Sequence, residues 1–298
     1  MQLERSVVDA VAAGFAIGEP GDVVLAARGW VSLNLVWRFS TGLGMWAVKE
    51  VARESRSELE AAAEIEAAAA LVGVPAPRMI RTTAGAVTLE VAGRVFRCHE
   101  FVDGRAPVPG ASRHDAASAG GALGLLHSAA LPWDPVLRSQ TVFGESHWLG
   151  LIDRGARGGA AWVDALRRAL PGILAAESAA SEWRDRAHRW IGSHRDVRPD
   201  NTMRVGDTLL LVDWDGAGPV VRGREVVGAL EWWRPHDDAF LSAYVDVAGE
   251  VDLEEGRGED GGLVWWLETN VEHALALPHD EERDWAVSTL AGSFARRR

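Results

Sequence analysis

The hydrophobic pattern changes period near residue 103, and that change limits the fold more than any other feature of the chain. Ahead of it, the stretch 23–41 alternates Val, Trp and Phe with polar residues, and segment 44–52 continues after a Gly-Leu-Gly turn. Shorter runs at 78–82, 86–91 and 95–102 complete a set of strands expected to pair as an antiparallel meander. Two helices accompany them, 5–18 and Ser57–Leu71, the second closed by Gly73 and the Pro75-Ala76-Pro77 segment. Beyond Asp103-Gly104 helical patterns dominate, at 113–129, 159–175, 178–190, 224–233, 236–248, 262–276 and 280–295. One hairpin interrupts them, with Gly206-Asp207 as its two-residue turn. The acidic, glycine-containing stretch 251–261 reads as a solvated loop. A strand-rich front third followed by a helical remainder predicts an α+β fold in two parts, residues 1–102 and 103–298.

Charge and cysteine usage narrow the partners. A formal net charge of -12 and a pI near 5.2 argue against a nucleic-acid backbone or an anionic membrane, both of which would repel the chain. No apolar run reaches the ~18 residues of a membrane span. The N-terminus lacks the basic start and long apolar core of a signal peptide. A lone cysteine, Cys98, permits no internal disulfide and points to a reducing cytoplasm. Of 31 basic residues only one, Lys49, is lysine. Arginine is a planar fork and lysine a compact point charge, so a lysine retained against that bias marks a place where arginine does not serve, such as a tight phosphate or ion-pair site.

The segment Ser193-His194-Arg195-Asp196-Val197-Arg198-Pro199-Asp200-Asn201 carries the densest chemistry, followed twelve residues past Asn201 by Asp213-Trp214-Asp215. Each Asp or Asn alone is an ordinary turn former. Together and in this order they fit phosphoryl transfer, which needs a carboxylate to orient the attacking hydroxyl and hard oxygen ligands for magnesium. A loop followed by a tight hairpin can bring Asn201 and Asp213 to one ion while Asp196 faces the acceptor. His194 is expected to hold the loop by hydrogen bonds.

This set resembles the aminoglycoside phosphotransferase and choline kinase family, which shares the protein-kinase fold. The kinase catalytic loop H-R-D-L-x-x-x-N is matched at His194, Arg195, Asp196 and Asn201, with Val197 in place of Leu. Aminoglycoside kinases usually carry Gly at the position of Arg195. Asp213 stands where a kinase has the Asp of D-F-G, and no A-P-E segment follows, which sets protein kinases aside. Trp46-Ala47-Val48-Lys49 resembles the V-A-I-K strand whose lysine meets the nucleotide phosphates. The resemblance implies a glutamate partner for Lys49 on the next helix, with Glu64 favoured and Glu60 second. It implies a degenerate phosphate loop near Arg28–Asn34, with Ser32 and Asn34 as candidates. It makes His99–Gly104 the hinge, where adenine would meet backbone at Glu100 and Val102.

Arg198 fits either the transferring phosphate or an ion pair with Asp200. The implied fold is two-lobed, an antiparallel N-lobe sheet with one helix and a helical C-lobe. The implied activity is transfer of the γ-phosphoryl group of ATP or GTP, with Mg2+, to a hydroxyl. The favoured acceptor is an aminoglycoside or similar amine-bearing antibiotic, inactivated by the transfer. The alternatives are a sugar, a choline-like alcohol or an amino alcohol, and, from another class, a nucleotide-binding module without turnover.

Overall fold

The computed structural model describes residues 2–28, 34–51, 56–108, 110–131, 142–184, 188–256, 261–276 and 281–295. The chain forms two compact units. One comprises Met1–Asp134 with Trp190–Glu255, and the other Pro135–Arg189 with Gly256–Arg298. The break expected at residue 102 is therefore not where these units divide. The strand-rich front and the segment 190–255 share a unit, because charged and backbone bonds join them.

The first unit opens with helix α1 (Arg5–Gly14), strands β1 (Pro20–Arg28), β2 (Leu35–Thr41) and β3 (Gly44–Val51), and helix α2 (Arg56–Leu71). Strands β4 (Met79–Ile80), β5 (Leu89–Val91) and β6 (Arg94–Glu100) follow. They make one antiparallel sheet in the order β1-β2-β3-β6-β4, with β5 also on β6. The register sets Val48 opposite Cys98 and Lys49 opposite Arg97. Alternation then sends Val48 and Cys98 into an apolar cluster with Val11, Phe15, Trp37, Phe39 and Phe96. Burying each large side chain there contributes about 1.5–3 kcal/mol. Burial also pushes the Cys98 thiol up to about 12, so it is inert packing.

Helix α3 (Arg113–Ala129) starts with a capping box in which Ser112 and Asp115 exchange side-chain and backbone bonds. Within residues 190–255 come β7 (Trp190–Ser193), the hairpin β8 (Thr202–Val205) and β9 (Thr208–Leu211), β10 (Gly218–Val221), α6 (Arg222–Trp232) and α7 (Asp237–Ala248). Strands β7 and β10 pair antiparallel, a small sheet that the sequence pattern did not announce. The Gly192 N–H donates to the Leu131 carbonyl at 2.9 Å, so β7 begins beside the end of α3. Helices α3 and α7 approach closely at Gly120, where an added Cβ would lie 2.1 Å from the Phe240 carbonyl oxygen. Around them Ile65, Leu123, Leu126, Leu211, Trp214, Trp233, Phe240 and Tyr244 form the main core of this unit. In place of the loop expected at 251–261, a short helix α8 (Leu253–Gly256) forms.

The second unit is helical: α4 (Glu145–Gly158), α5 (Val163–Arg184), α9 (Gly261–Ala276) and α10 (Glu281–Ala295). Helix α5 runs through Pro171 as one element where the sequence pattern predicts two. Trp148, Trp162, Leu166, Ile173, Leu267, Val271 and Phe294 are buried together. A His147–Glu268 hydrogen bond (3.1 Å) and an Arg154–Glu272 ion pair tie α4 to α9. Among the described residues no helix is long and apolar enough to cross a membrane.

Candidate active site

The register of β3 on β6 creates an electrostatic problem that organises the site. Lys49 and Arg97 are direct cross-strand partners, so two cations leave the same face of the sheet, where like charges repel. Acids answer them. Asp215, in the turn Trp214–Gly216, accepts from Arg97 with one oxygen and holds the Lys49 ammonium at 2.5 Å with the other. Lys49 also donates to Asp213. Arg97 reaches the opposite way to Glu66 of α2 at 2.7 Å, and Glu66 takes His99 at 2.8 Å.

Burial works against every charge in this chain of contacts, and the partners outweigh it. Burial alone would lower the Lys49 pKa, yet the Asp215 and Asp213 carboxylates hold it above its ordinary value. Burial would raise the carboxyls of Asp215 and Glu66, yet the adjoining cations and hydrogen bonds hold both below the usual range. Asp213 is the exception in exposure. Its side chain is 46% exposed, against 5% for Asp215. It also sits in the left-handed region (φ 66°), a conformation that recurs at functional turns.

Glu64 does not take the place expected of it. Helix α2 buries Leu59, Ala62, Ala63, Ile65, Glu66 and Ala69, and Glu64 is exposed. At about 100° per residue, Glu64 and Glu66 face nearly opposite ways. The face shared by Glu60, Glu64 and Leu71 is the solvent face, and Leu71 is 89% exposed. The inward acid, Glu66, lies over Arg97 and His99 of β6 and bonds those two residues.

The loop after β7 is built on a buried scaffold. His194 is fully buried, with Nε2 3.0 Å from the Val212 carbonyl and Nδ1 accepting from the Asp196 N–H at 3.3 Å. These bonds specify the neutral tautomer protonated on Nε2. Arg195 has φ 71°, which explains why glycine suits this position, and its N–H is caught by Glu225 Oε1 at 2.5 Å. The other oxygen of Glu225 meets His127 Nε2 at 2.9 Å, and His127 Nδ1 meets the Tyr244 hydroxyl at 2.9 Å. Trp233 Nε1 donates to the Val197 carbonyl at 3.0 Å. The loop backbone is thereby fixed from α3, α6 and α7.

On this scaffold Asn201 donates to the backbone and carboxylate oxygens of Asp196 at 3.0 and 2.6 Å. Both hydrogens of the amide are thus engaged, which leaves its side-chain carbonyl oxygen as the atom able to ligate a cation. The Val212 N–H donates to the main-chain carbonyl of Asn201 at 3.0 Å, which brings Asp213 alongside. Burial lifts the Asp196 carboxyl above its ordinary value, opposed by the Arg198 guanidinium and by the hydrogen bond from Asn201. Its side chain is 46% exposed, so solvent tempers the shift. Arg198 Nε lies 3.0 Å from Asp200 and 3.4 Å from Asp196, and its guanidinium stands over the Trp232 ring at 5.3 Å.

The remaining expected residues scatter in role. The Glu100 N–H donates to the Arg78 carbonyl and the Phe101 N–H to the Met45 carbonyl. The Glu100 carboxylate pairs with Arg78 at 2.5 Å. No backbone carbonyl among the described residues accepts from the Val102 N–H. Gly104 passes close to the hairpin, where Arg105 and Arg204 exchange backbone bonds at 3.2 and 2.9 Å. Asn34 is buried just before β2. Ser32 lies outside the described residues.

Around the site, the buried charges Glu66, Arg97 and Glu225 escaped the sequence reading, and Asp215 was read only as part of the Asp213-Trp214-Asp215 segment. Arg97 and His99 had a visible signal, two basic side chains at a spacing of two in an apolar strand. Glu225 had none, since its partners lie far from it along the chain.

The APH model, described as a phosphotransferase enzyme family, matches residues 26–261. No individually curated protein matches the chain. Among solved structures, an amicoumacin kinase bound to AMP-PNP and Ca2+ aligns with a TM-score of 0.70 at 14% identity, covering 99% of this chain and 94% of its own. A spectinomycin phosphotransferase with ADP and spectinomycin gives 0.66 at 10% identity, covering 99% and 98%. The choline kinase LicA from Streptococcus pneumoniae gives 0.65 at 11% identity, covering 98% and 99%. At these identities the structures speak for the fold, an antiparallel N-terminal sheet with a helical C-terminal part of the protein-kinase type. The family follows from the sequence model, whose match takes in both Lys49 and the segment 193–215: the chain belongs to the APH phosphotransferase enzyme family.

Proposed function

We propose that this phosphotransferase moves the γ-phosphoryl group of ATP or GTP onto a hydroxyl of a small amine-bearing molecule. The carrying observation is that Lys49, Asp213, Asn201 and Asp196 form one connected set: Lys49 bonds Asp213, the residue before Asp213 bonds Asn201, and Asn201 bonds Asp196. In this reading Asp196 accepts or orients the proton of the attacking hydroxyl. Asn201 aims that carboxylate, and Lys49 meets the nucleotide phosphates. Arg198, already poised beside Asp196, swings to the transferred phosphoryl group as a charge-assisted donor. The Val102 N–H serves the base of the nucleotide. Catalysis is then mostly positioning and charge neutralisation.

The donor set also fits a divalent metal of the magnesium type. Asn201 offers a carbonyl oxygen and Asp213 a half-exposed carboxylate, both hard ligands. Bound there, the ion would supply neutralisation of phosphate charge. AMP-PNP and Ca2+ in the amicoumacin kinase and ADP in the spectinomycin phosphotransferase support a nucleotide and a divalent ion here too.

For the acceptor, Trp232 is the observation that favours a cation. It is 55% exposed and stands one arginine away from Asp196, and an aromatic face attracts ammonium groups. An aminoglycoside-like antibiotic fits, and its phosphorylation would inactivate it. A choline-like alcohol or amino alcohol shares the same cation, and relatives of this fold include choline and aminopropanol kinases. A panel of aminoglycosides, amino alcohols, choline and neutral sugars, incubated with magnesium ATP or GTP and read by mass, tests the reading. The expected result is one added phosphate on an amine-bearing member. A nucleotide-dependent rise in melting temperature with no phosphorylated product would favour a binding module instead.

A further inference from the structure

The lysine of this site has two carboxylate partners, and they are not equivalent. Asp213 is half exposed and touches Lys49 alone among the basic side chains described. Asp215 is buried, and its other oxygen is committed to a fully buried guanidinium, Arg97. A carboxylate free to turn toward solvent cannot fix the ammonium once an ion or phosphate competes for it. A carboxylate locked from behind can.

Arg97 in turn is held at both ends of its fork. One nitrogen is bound to Asp215 and the other to Glu66, which is itself braced by His99. The contacts run in a line from His99 on β6 through Glu66 on α2, Arg97 on β6 and Asp215 to Lys49 on β3. Glu66 is bonded to β6 residues, and the ammonium of Lys49 is bonded to Asp213 and Asp215. The register explains the need for the intermediary. Lys49 and Arg97 stand opposite one another on adjacent strands, so a single acid between them bridges both cations and sets their spacing, with Asp213 and Glu66 adding further negative charge.

We infer that Asp215 is the residue that positions Lys49 for the nucleotide, that Arg97 fixes Asp215, and that Glu66 of helix α2 acts on the lysine only through Arg97. The inference rests on Lys49 meeting the nucleotide phosphates, as argued above. It assigns the lysine-holding task to the turn after β9 instead of the helix, so the position of α2 is transmitted to Lys49 through three successive ion pairs, Glu66–Arg97, Arg97–Asp215 and Asp215–Lys49.

A double-mutant cycle on the full chain tests it, with magnesium ATP as the probe and ADP release as the readout, and with folding checked by thermal melting. D215N is expected to raise the KM for magnesium ATP by roughly tenfold or more, yet to change it less than about twofold in a K49M background, because the two residues act as one unit. D215E is expected to restore part of the loss. E66Q should raise KM by less than D215N, and the exposed E64Q should match the parent. If D215N fails to fold, R97M/D215N removes the buried guanidinium together with its partner and leaves Glu66 its bond to His99. That variant should show the same raised KM and the same insensitivity to K49M. Parent-like KM in folded D215N or R97M/D215N, or effects that multiply with K49M, overturns the proposal while leaving the phosphotransferase reading intact. Parent-like turnover in K49M overturns both.

Discussion

Asn201 grips Asp196 twice, through the loop backbone at 3.0 Å and through the carboxylate at 2.6 Å. The carboxylate is thereby aimed before any substrate arrives. Replacing Asp196 with Ala is expected to reduce phosphoryl transfer by about 10²–10⁴-fold, the usual contribution of a positioned base. Nucleotide affinity should stay within severalfold of the parent, since no nucleotide contact is assigned to this side chain. Single-turnover transfer and nucleotide titration separate the two quantities. Loss of both together would assign Asp196 a structural role.

Lys49→Arg keeps the charge and is expected to fail. Its ammonium sits between Asp213 and Asp215 and directly across from Arg97, where a broad planar fork does not fit. A fall in kcat/KM for nucleotide of about 100-fold, or roughly 2.7 kcal/mol, is the expected size. Parent-like rates in this variant would make the single lysine a coincidence of composition.

Acid should unfold the first unit through its buried glutamates. Glu66 and Glu225 both have folded-state pKa values below the ordinary 4.5, because burial is outweighed by His99 and Arg97 at one and by His127 at the other. A depressed carboxyl adds stability above its unfolded value, and that stability is lost as pH falls through the folded value. Urea midpoints should therefore fall steadily below about pH 4.5. Glu225→Gln should cost about 1–3 kcal/mol at neutral pH and flatten the acid limb. An acid limb as steep as the parent's would assign the effect to other groups.

Gly120 on α3 has no room for a side chain, since its Cβ would collide with the Phe240 backbone of α7. Gly120→Ala is expected to destabilise by about 1–3 kcal/mol even though alanine is the better helix former. The neighbouring Gly121 faces open space, so Gly121→Ala should be neutral or mildly stabilising. Thermal melts of the pair separate packing from propensity.

Local chemistry was legible where it is local. The loop 193–201, the hairpin after it and helix 113–129 follow from turn formers, apolar period and residue order, and the structure places them as expected. The helix at 145–158 went unseen because glycines and polar residues fill it. Yet Trp148, Leu151, Ile152 and Gly155 keep helical spacing, with Gly155 standing where Trp162 packs. The glutamate of α2 that turns inward was misjudged for a different reason. Choosing between Glu60, Glu64 and Glu66 requires knowing which helix face meets the sheet, and a run of alanines gives little contrast between faces. Arg97 and Asp215 lie 118 residues apart, and nothing along the chain between them signals that they meet.

The single bond from Gly192 to Leu131 also shapes how a chain like this can diverge. It stitches together the point of departure and the point of return of a 135–189 excursion whose residues cluster with the C-terminal helices. Enlarging or replacing such an excursion changes the closure entropy only as the logarithm of its length. The loop that follows β7, the candidate catalytic segment, is thereby anchored at its start by a bond that does not depend on the length of that excursion. Selection can thus rework that insert wholesale while the phosphoryl-transfer machinery is inherited untouched.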